Sequence, residues 1–350
     1  MRAFRCPVCQ QFAFFETQTC SGCGAVIGFH IPTRTLIPAP AEGIVIESAR
    51  WLRCSSWSWG CNWLVAENSG SAQCFAGRLI RRRPEADDTI ALEKLARAGN
   101  ALRRLLFQLV ELGIPIVPYY EKSGGLAFDL LSSYSSNDTV TIGHANGVVT
   151  IDLAETLDAH REAVRVRLGE AYRTMLGHFR HEVGHYYQSI LVENGPAIDE
   201  CRALFGDERA SYRESIDRHY KFGAPADWQD AYISEYATMH PWEDFAETFA
   251  HYLHITDTLA TAAASGVVLH GDRIDGYTQE NVALRHSYTE SDIATILSDW
   301  HWLSLMLNRV TRAMGKADLY PFTIPDPVTV KLGFVHNVIR SAAAQSVGSI

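Results

Sequence analysis

His178-Phe-Arg-His181-Glu182-Val-Gly-His185-Tyr-Tyr187 is the stretch whose reading decides the fold. Residues four apart on a helix share a face, so His181 and His185 can offer imidazole nitrogens to one metal ion. Glu182 then lies beside the metal, where it can take a proton from activated water. Zinc suits such a site because it brings the pKa of bound water toward neutrality. An HExxH pattern arises by chance in a chain this long and this rich in histidine with a probability on the order of a few per cent. The competing reading is a pair of buried structural histidines.

A third protein ligand has to come from elsewhere. The best segment is His240-Pro-Trp-Glu243-Asp-Phe-Ala-Glu247-Thr-Phe-Ala-His251-Tyr-Leu-His254. Helical periodicity puts Glu243, Glu247, His251 and His254 roughly along one face. The flanking Phe245, Ala246, Phe249 and Ala250 mark the helix as largely buried. Acidic and imidazole groups on a buried face are costly unless paired or metal-bound. On the residues alone, Glu243, His251 and His254 all remain open as the ligand.

The N-terminal cysteines form a second constellation. Cys6-Pro-Val-Cys9 and Cys20-Ser-Gly-Cys23 are two CxxC pairs, which predict a closed four-thiolate structural zinc site in a zinc ribbon. Gly22 and Gly24 suit the sharp turns of the second knuckle. So short a segment buries little core, and metal supplies much of its folding free energy. Cys54, Cys61 and Cys74 are a weaker signal. They are either a further zinc site lacking a fourth cysteine or small buried residues in a packing region with Trp51, Trp57, Trp59 and Trp63. Ile31 to Pro40, with its prolines, reads as an extended connector.

The chain has 350 residues, 47% hydrophobic and 20% charged, as expected of a globular protein. A formal net charge of −9 argues against a broad nucleic-acid grip, despite the basic run Arg78 to Arg83. Apolar runs are too short to span a membrane. The N-terminus enters a cysteine motif with no signal-peptide core, which predicts a cytoplasmic protein with reduced thiols. Leu92, Leu95, Leu102, Leu105, Leu106 and Leu109 recur at helical spacing, and Gly113 to Pro118 ends that helix. Strands are expected at Leu126–Leu131, Thr139–Ile142 and Val148–Leu153, and helices at about 155–192, 242–265 and 290–314. The last strand either edges a cleft, open to an extended peptide, or lies inside a small sheet.

Glu243-x-x-x-Glu247 after an HExxH helix resembles the gluzincins, the thermolysin-like clan of zincin peptidases. That resemblance implies Glu243 as the third zinc ligand and Glu247 as the group hydrogen-bonded to His181 or His185. Gluzincins of the lethal-factor type also place a tyrosine seven residues before the ligand. Tyr236 holds that offset and would support the oxyanion; His240 is a second candidate for the task. The resemblance favours Glu243 over His251 and His254. The metzincin pattern is absent, because Gln188 and Leu191 stand at its glycine and third histidine.

Over nearly its whole length the chain is also similar to a bacterial family of zinc-binding metallopeptidases with an N-terminal zinc ribbon. The likeness rests on Gly177 to Tyr187, His240 to Glu247, Cys61-Asn-Trp-Leu-Val65, Gly143-His-Ala-Asn-Gly147 and Tyr320-Pro-Phe322. That family usually carries a CxxC where this chain has Cys74 and Gly77, which puts the further zinc in doubt.

The expected architecture is α+β: a zincin-like metallopeptidase domain, mostly helical with a small sheet, preceded by a zinc ribbon. The ribbon spans residues 1–30, a Cys- and Trp-rich connecting region 31–86, and the catalytic domain 87–350. The expected activity is hydrolysis of a peptide or protein, with one catalytic and one structural zinc. Two alternatives are a non-catalytic adaptor or regulator, docking a protein partner through the ribbon, and a nucleic-acid-associated protease.

Overall fold

The structure, a computed structural model, describes residues 2–85, 87–133, 140, 142–156, 174–273 and 281–347. The chain divides into two compact units, residues 1–107 with 117–157 and residues 108–116 with 158–350. The architecture is α+β, with small sheets in the first unit and mostly helices in the second.

In the first unit, β1 (Phe4–Arg5) and β2 (Phe12–Ala13) form a short antiparallel hairpin. The first cysteine pair lies in its turn and the second pair follows it. Gln10 and Gly24, each just after the second cysteine of its pair, have φ of 63° and 73°. Both knuckles therefore turn through the left-handed region, which glycine adopts freely and glutamine at some cost. Gly22 has no positive φ, so only Gly24 plays the expected turn role.

The proline-bearing segment from Ile31 to Pro40 is more than a connector. Strand β3 (Ile27–His30) turns through Ile31–Arg34 and returns as β4 (Thr35–Pro38), its antiparallel partner. Strands β5 (Ile44–Ile46), β6 (Ala49–Arg53) and β7 (Leu64–Ala66) make a three-stranded antiparallel sheet. Phe4, Phe15, Phe29, Trp63 and Phe107 form the aromatic core of this unit, with Phe15 and Phe29 rings 5.0 Å apart and Phe29 and Trp63 5.3 Å. Trp63 alone of the four expected tryptophans is fully buried, and Trp59 is 42% exposed. Asn62 ties the core together, its side-chain amide donating to Phe15 O at 2.6 Å while its backbone carbonyl accepts from Phe29 N at 2.7 Å.

A short helix α1 (Phe75–Leu79) leads into β8 (Ile80–Arg82). The leucine period forms α2 (Thr89–Glu111), with Leu102, Leu105, Leu106 and Leu109 fully buried. Strands β9 (Ala127–Leu131), β10 (Gly143–Ala145) and β11 (Val148–Asp152) join β8 in the order β10-β11-β9-β8. Asn146 and Gly147 turn β10 into β11 with φ of 51° and 83°, the pairing a tight hairpin favours. Strand β11 is thus interior, parallel to β9 on one side and antiparallel to β10 on the other. Its backbone is not free to receive a peptide, and the cleft-edge expectation is replaced by the interior one. Two of the four residues of the expected strand at Thr139–Ile142 fall outside the described residues and the other two are not in a strand; the part of the expected 155–192 helix from 157 to 173 also falls outside them.

The second unit is built around α6 (Pro241–Ala264). Before it come α3 (Met175–Gln188), extended by a π turn at Ser189–Glu193, then α4 (Ile198–Phe205) and α5 (Tyr212–Phe222). After it come the β12 (Val268–Leu269) and β13 (Val282–Ala283) pair, α7 (Ile293–Ala313) and α8 (Asp326–Val347). Helices α3, α4, α7 and α8 all pack on α6, which explains why Phe245, Phe249, Tyr252, Leu253, Ile255 and Leu259 along it are buried. Thr174 caps α3, its hydroxyl accepting from Gly177 N at 2.9 Å. Among the described residues no helix is long and apolar enough to cross a membrane.

Candidate metal centre

Helices α3 and α6 bring the two histidines and the acidic segment together. Gly184 makes the approach close: a Cβ there would stand 2.9 Å from Ala246 Cα and 3.1 Å from Ala246 O. A glycine in mid-helix costs about 1 kcal/mol relative to alanine. Here it lets two backbones meet, one turn from the functional side chains. Tyr187 stacks on Phe249, ring centroids 5.5 Å apart, and fixes the same contact from the apolar side.

Three donor atoms converge on one point. His181 Nε2 and His185 Nε2 lie 3.0 and 3.4 Å from Glu243 Oε2, and 3.2 Å from each other. Nitrogen or oxygen ligands about 2.0–2.1 Å from a tetrahedral zinc stand about 3.3–3.4 Å apart, so the triangle matches the ion. Glu243 is 2% exposed, and its Oε2 is buried without a hydrogen-bond partner among the described residues. A buried carboxylate oxygen in that condition is costly unless a cation meets it. The residues present therefore fit a zinc ion.

Each donor is held from behind. His181 Nδ1 donates to Glu247 Oε1 at 2.7 Å, and Ser234 Oγ donates to Glu247 Oε2 at 2.6 Å. Glu243 Oε1 accepts from Tyr212 OH at 2.6 Å. Burial presses the His181 ring toward neutrality, but Glu243 and Glu247 outweigh it and pull its pKa well above the usual value. Burial would likewise raise the Glu243 and Glu247 carboxyls. The histidines hold Glu243 well below the usual carboxylate range, and His181, with Ser234, holds Glu247 below it. The site is thus electrostatically built for positive charge.

Glu182 is 5% exposed, with Oε1 3.7 Å from His178 Nε2 one turn earlier on α3. The Tyr236 ring lies 5.8 Å from the His181 ring. Burial, followed by Glu243, Tyr212 and Glu182, pushes the Tyr236 phenol well above its usual pKa, so it stays a neutral donor. Burial and Glu243 do the same for Tyr212, which the sequence reading passes over. Tyr212 comes from α5, 31 residues before its partner, with no spacing rule to link them.

The other expected candidates are engaged elsewhere. His240 caps α6: its Nδ1 accepts from Trp242 N at 3.1 Å, and its Nε2 donates to Ala210 O at 3.0 Å. Neither nitrogen is left for an oxyanion. His251 Nδ1 pairs with Tyr320 OH at 2.8 Å, and Phe322 packs its ring edge-to-face at 4.5 Å. His254 Nδ1 accepts from Arg180 Nη1 at 2.6 Å, and Arg180 also donates to Asp257 at 2.7 Å. The polar face of α6 therefore divides, with its first two turns at the metal position and the rest pinned to α3 and the segment before α8.

Two cysteine groups could also hold metal. Cys6, Cys9, Cys20 and Cys23 gather their sulfurs, with Cys6 and Cys23 3.8 Å apart and Cys9 and Cys20 3.6 Å. Four thiolates about 2.3 Å from a tetrahedral ion stand about 3.8 Å apart, so this set also fits zinc. Cys54, Cys61 and Cys74 form a buried three-sulfur group.

Residues 91–338 match the model of a family described as "Putative zinc-binding metallo-peptidase", and residues 3–88 match that of a zinc-ribbon domain. The chain belongs to this metallopeptidase family. Uncharacterized proteins of Mycobacterium tuberculosis and Mycobacterium bovis are each 42% identical to it over 346 residues, covering 98% of this chain and 96% of the relative. No solved structure matches the chain significantly. The family model covers His181, Glu182, His185, Tyr212, Tyr236, Glu243 and Glu247, and so takes in the whole of the α3–α6 centre.

Proposed function

We propose that this family member is a zinc peptidase of the gluzincin type, with a zincin-like catalytic domain over residues 87–350. His181, His185 and Glu243 are its catalytic zinc ligands. The observation that carries the reading is the triangle of donor atoms with edges of 3.0, 3.2 and 3.4 Å. Zinc held there supplies Lewis-acid activation of water and of the scissile carbonyl. Glu182 accepts the proton of the attacking water and passes a proton to the leaving amine. Tyr236 donates its phenol hydrogen to the oxygen on which negative charge develops. Glu247 orients His181, and Tyr212 orients Glu243 so that Oε2 faces the metal. The substrate is a peptide or protein.

Residues 1–30 form the ribbon, in which Cys6, Cys9, Cys20 and Cys23 hold a structural zinc. Residues 31–86 connect it to the catalytic domain and carry the third cysteine group. None of the eight cysteines is in a disulfide, which supports a reducing, cytoplasmic setting.

Wild type and Glu182→Gln should be incubated with a mixture of proteome-derived peptides, with cleavage read by mass spectrometry and metal counted in both. The variant should retain its metal and lose at least about 100-fold in rate. Unchanged cleavage in the variant would refute the role of Glu182. No cleavage by metal-loaded wild type would favour the non-catalytic adaptor.

A further inference from the structure

Cys54, Cys61 and Cys74 bring their sulfur atoms within 4.8 Å of one another, and all three are buried. Cys61 Sγ and Cys74 Sγ are 3.6 Å apart, and Cys74 N donates to Cys54 Sγ at 3.3 Å. Small buried cysteines are common in cores. This group differs because its members line a cavity of about 230 Å³ within the first unit.

Among the described residues no histidine or carboxylate lines that cavity. Gly77 stands three residues after Cys74 on α1, on the same helical face, and lines the cavity without offering a donor. The polar groups that do line it include two cations, Arg83 and Arg103. Arg103 is 6% exposed. Its Nη2 donates to Gly60 O at 3.3 Å and to Asn100 Oδ1, while its Nε is buried without a partner among the described residues. A buried guanidinium nitrogen with no acceptor is expensive, which points to an anion the cavity is built to receive.

We propose that Cys54, Cys61 and Cys74 hold a zinc ion through three thiolates, and that its fourth position opens into the cavity and takes a small organic anion. The donor is a thiolate or a carboxylate on an apolar body. Three thiolates around a divalent ion leave one net negative charge, and the two guanidinium groups turn the surroundings positive by one. A monoanionic ligand brings the site to neutrality, which a buried site requires. Leu92, Leu95 and Leu102 on α2 supply an apolar wall for the rest of the ligand. A cavity of about 150 Å³ accepts benzene, so this one has room for a substituted ring. The proposal is independent of the peptidase reading, which concerns other ligands in the second unit.

Cadmium NMR on the full chain tests it, because the resonance position reports the number of thiolate ligands. Three resonances are expected: a four-thiolate ribbon, a three-thiolate site and a histidine–carboxylate site. Benzoate or thiophenol, added in stoichiometric amounts, should move only the middle resonance, and the tighter of the two identifies the donor class. Gly77→Cys should shift that resonance to the four-thiolate region and abolish the response. Arg103→Gln should keep the resonance and weaken the benzoate response about tenfold, as loss of a charge-assisted contact requires. A single thiolate-rich resonance in wild type would overturn the proposal, and so would a three-thiolate resonance that neither probe moves. The histidine–carboxylate resonance tests the peptidase centre separately.

Discussion

Glu247 acts on the metal centre through His181. Its Oε1 accepts from Nδ1 of that ring at 2.7 Å, which leaves Nε2 as the metal-facing nitrogen. Glu247→Gln should lower metal affinity by about 10- to 100-fold, measured by competition with a chelator, with the fold intact. Unchanged affinity would mean that α6 alone orients the ring. The sequence makes His181, Glu182 and His185 legible through their spacing, because helical periodicity turns an i, i+4 pair into a shared face. Glu243 is distinguishable from His251 and His254 only by resemblance, since all four polar residues share the period. What separates them is their partners: Tyr320 for His251 and Arg180 for His254, both distant in sequence. Tyr212 is invisible for the same reason.

At the scale of elements, the centre depends on how closely α3 meets α6. Gly184 sits where a Cβ would stand 2.9 Å from the Ala246 backbone, which a flexible side chain cannot relieve. Gly184→Ala should therefore cost about 1–3 kcal/mol in chemical denaturation and loosen the metal as the helices part. A variant with wild-type stability and metal affinity would show that the contact does not set the donor triangle. Helix α2 was readable because its leucines follow one period on an amphipathic surface. Helix α8 was not expected, although Val328, Leu332, Val335 and Ile339 carry a helical spacing and are buried. Pro327 lies in its first turn, where a missing N–H costs nothing. The opposite error affects Ile31 to Pro40, whose prolines suggest a linker although Pro38 ends a paired strand.

Across the molecule, buried histidines make stability depend on pH. Burial depresses His251 to about 4, and His254 well below its usual value. The folded His251 ring stays neutral down to about pH 4, while the unfolded one takes a proton near pH 6.5. Between those limits the unfolded chain binds more protons, so stability falls as the pH drops. From pH 7 to pH 5, His251 alone should remove about 2 kcal/mol from the unfolding free energy of the second unit. His251→Gln should lose that part of the pH dependence, as denaturant melts at the two pH values would show. An equal pH slope in both proteins would place the dependence elsewhere. The division into a cysteine-bearing first part and a helical remainder was legible from the uneven cysteine count. The assignment of β8–β11 to the first unit was not, because strand pairing joins residues near 80, 130 and 150 that no local pattern connects.

The central claim is that His181, His185 and Glu243 bind zinc, and anomalous diffraction at the zinc edge from crystals of the purified protein tests it most directly. The account predicts a peak about 2.0–2.1 Å from His181 Nε2, His185 Nε2 and Glu243 Oε2. In zinc-supplemented crystals, no peak among those three atoms, or one on His251 or His254 instead, would contradict it.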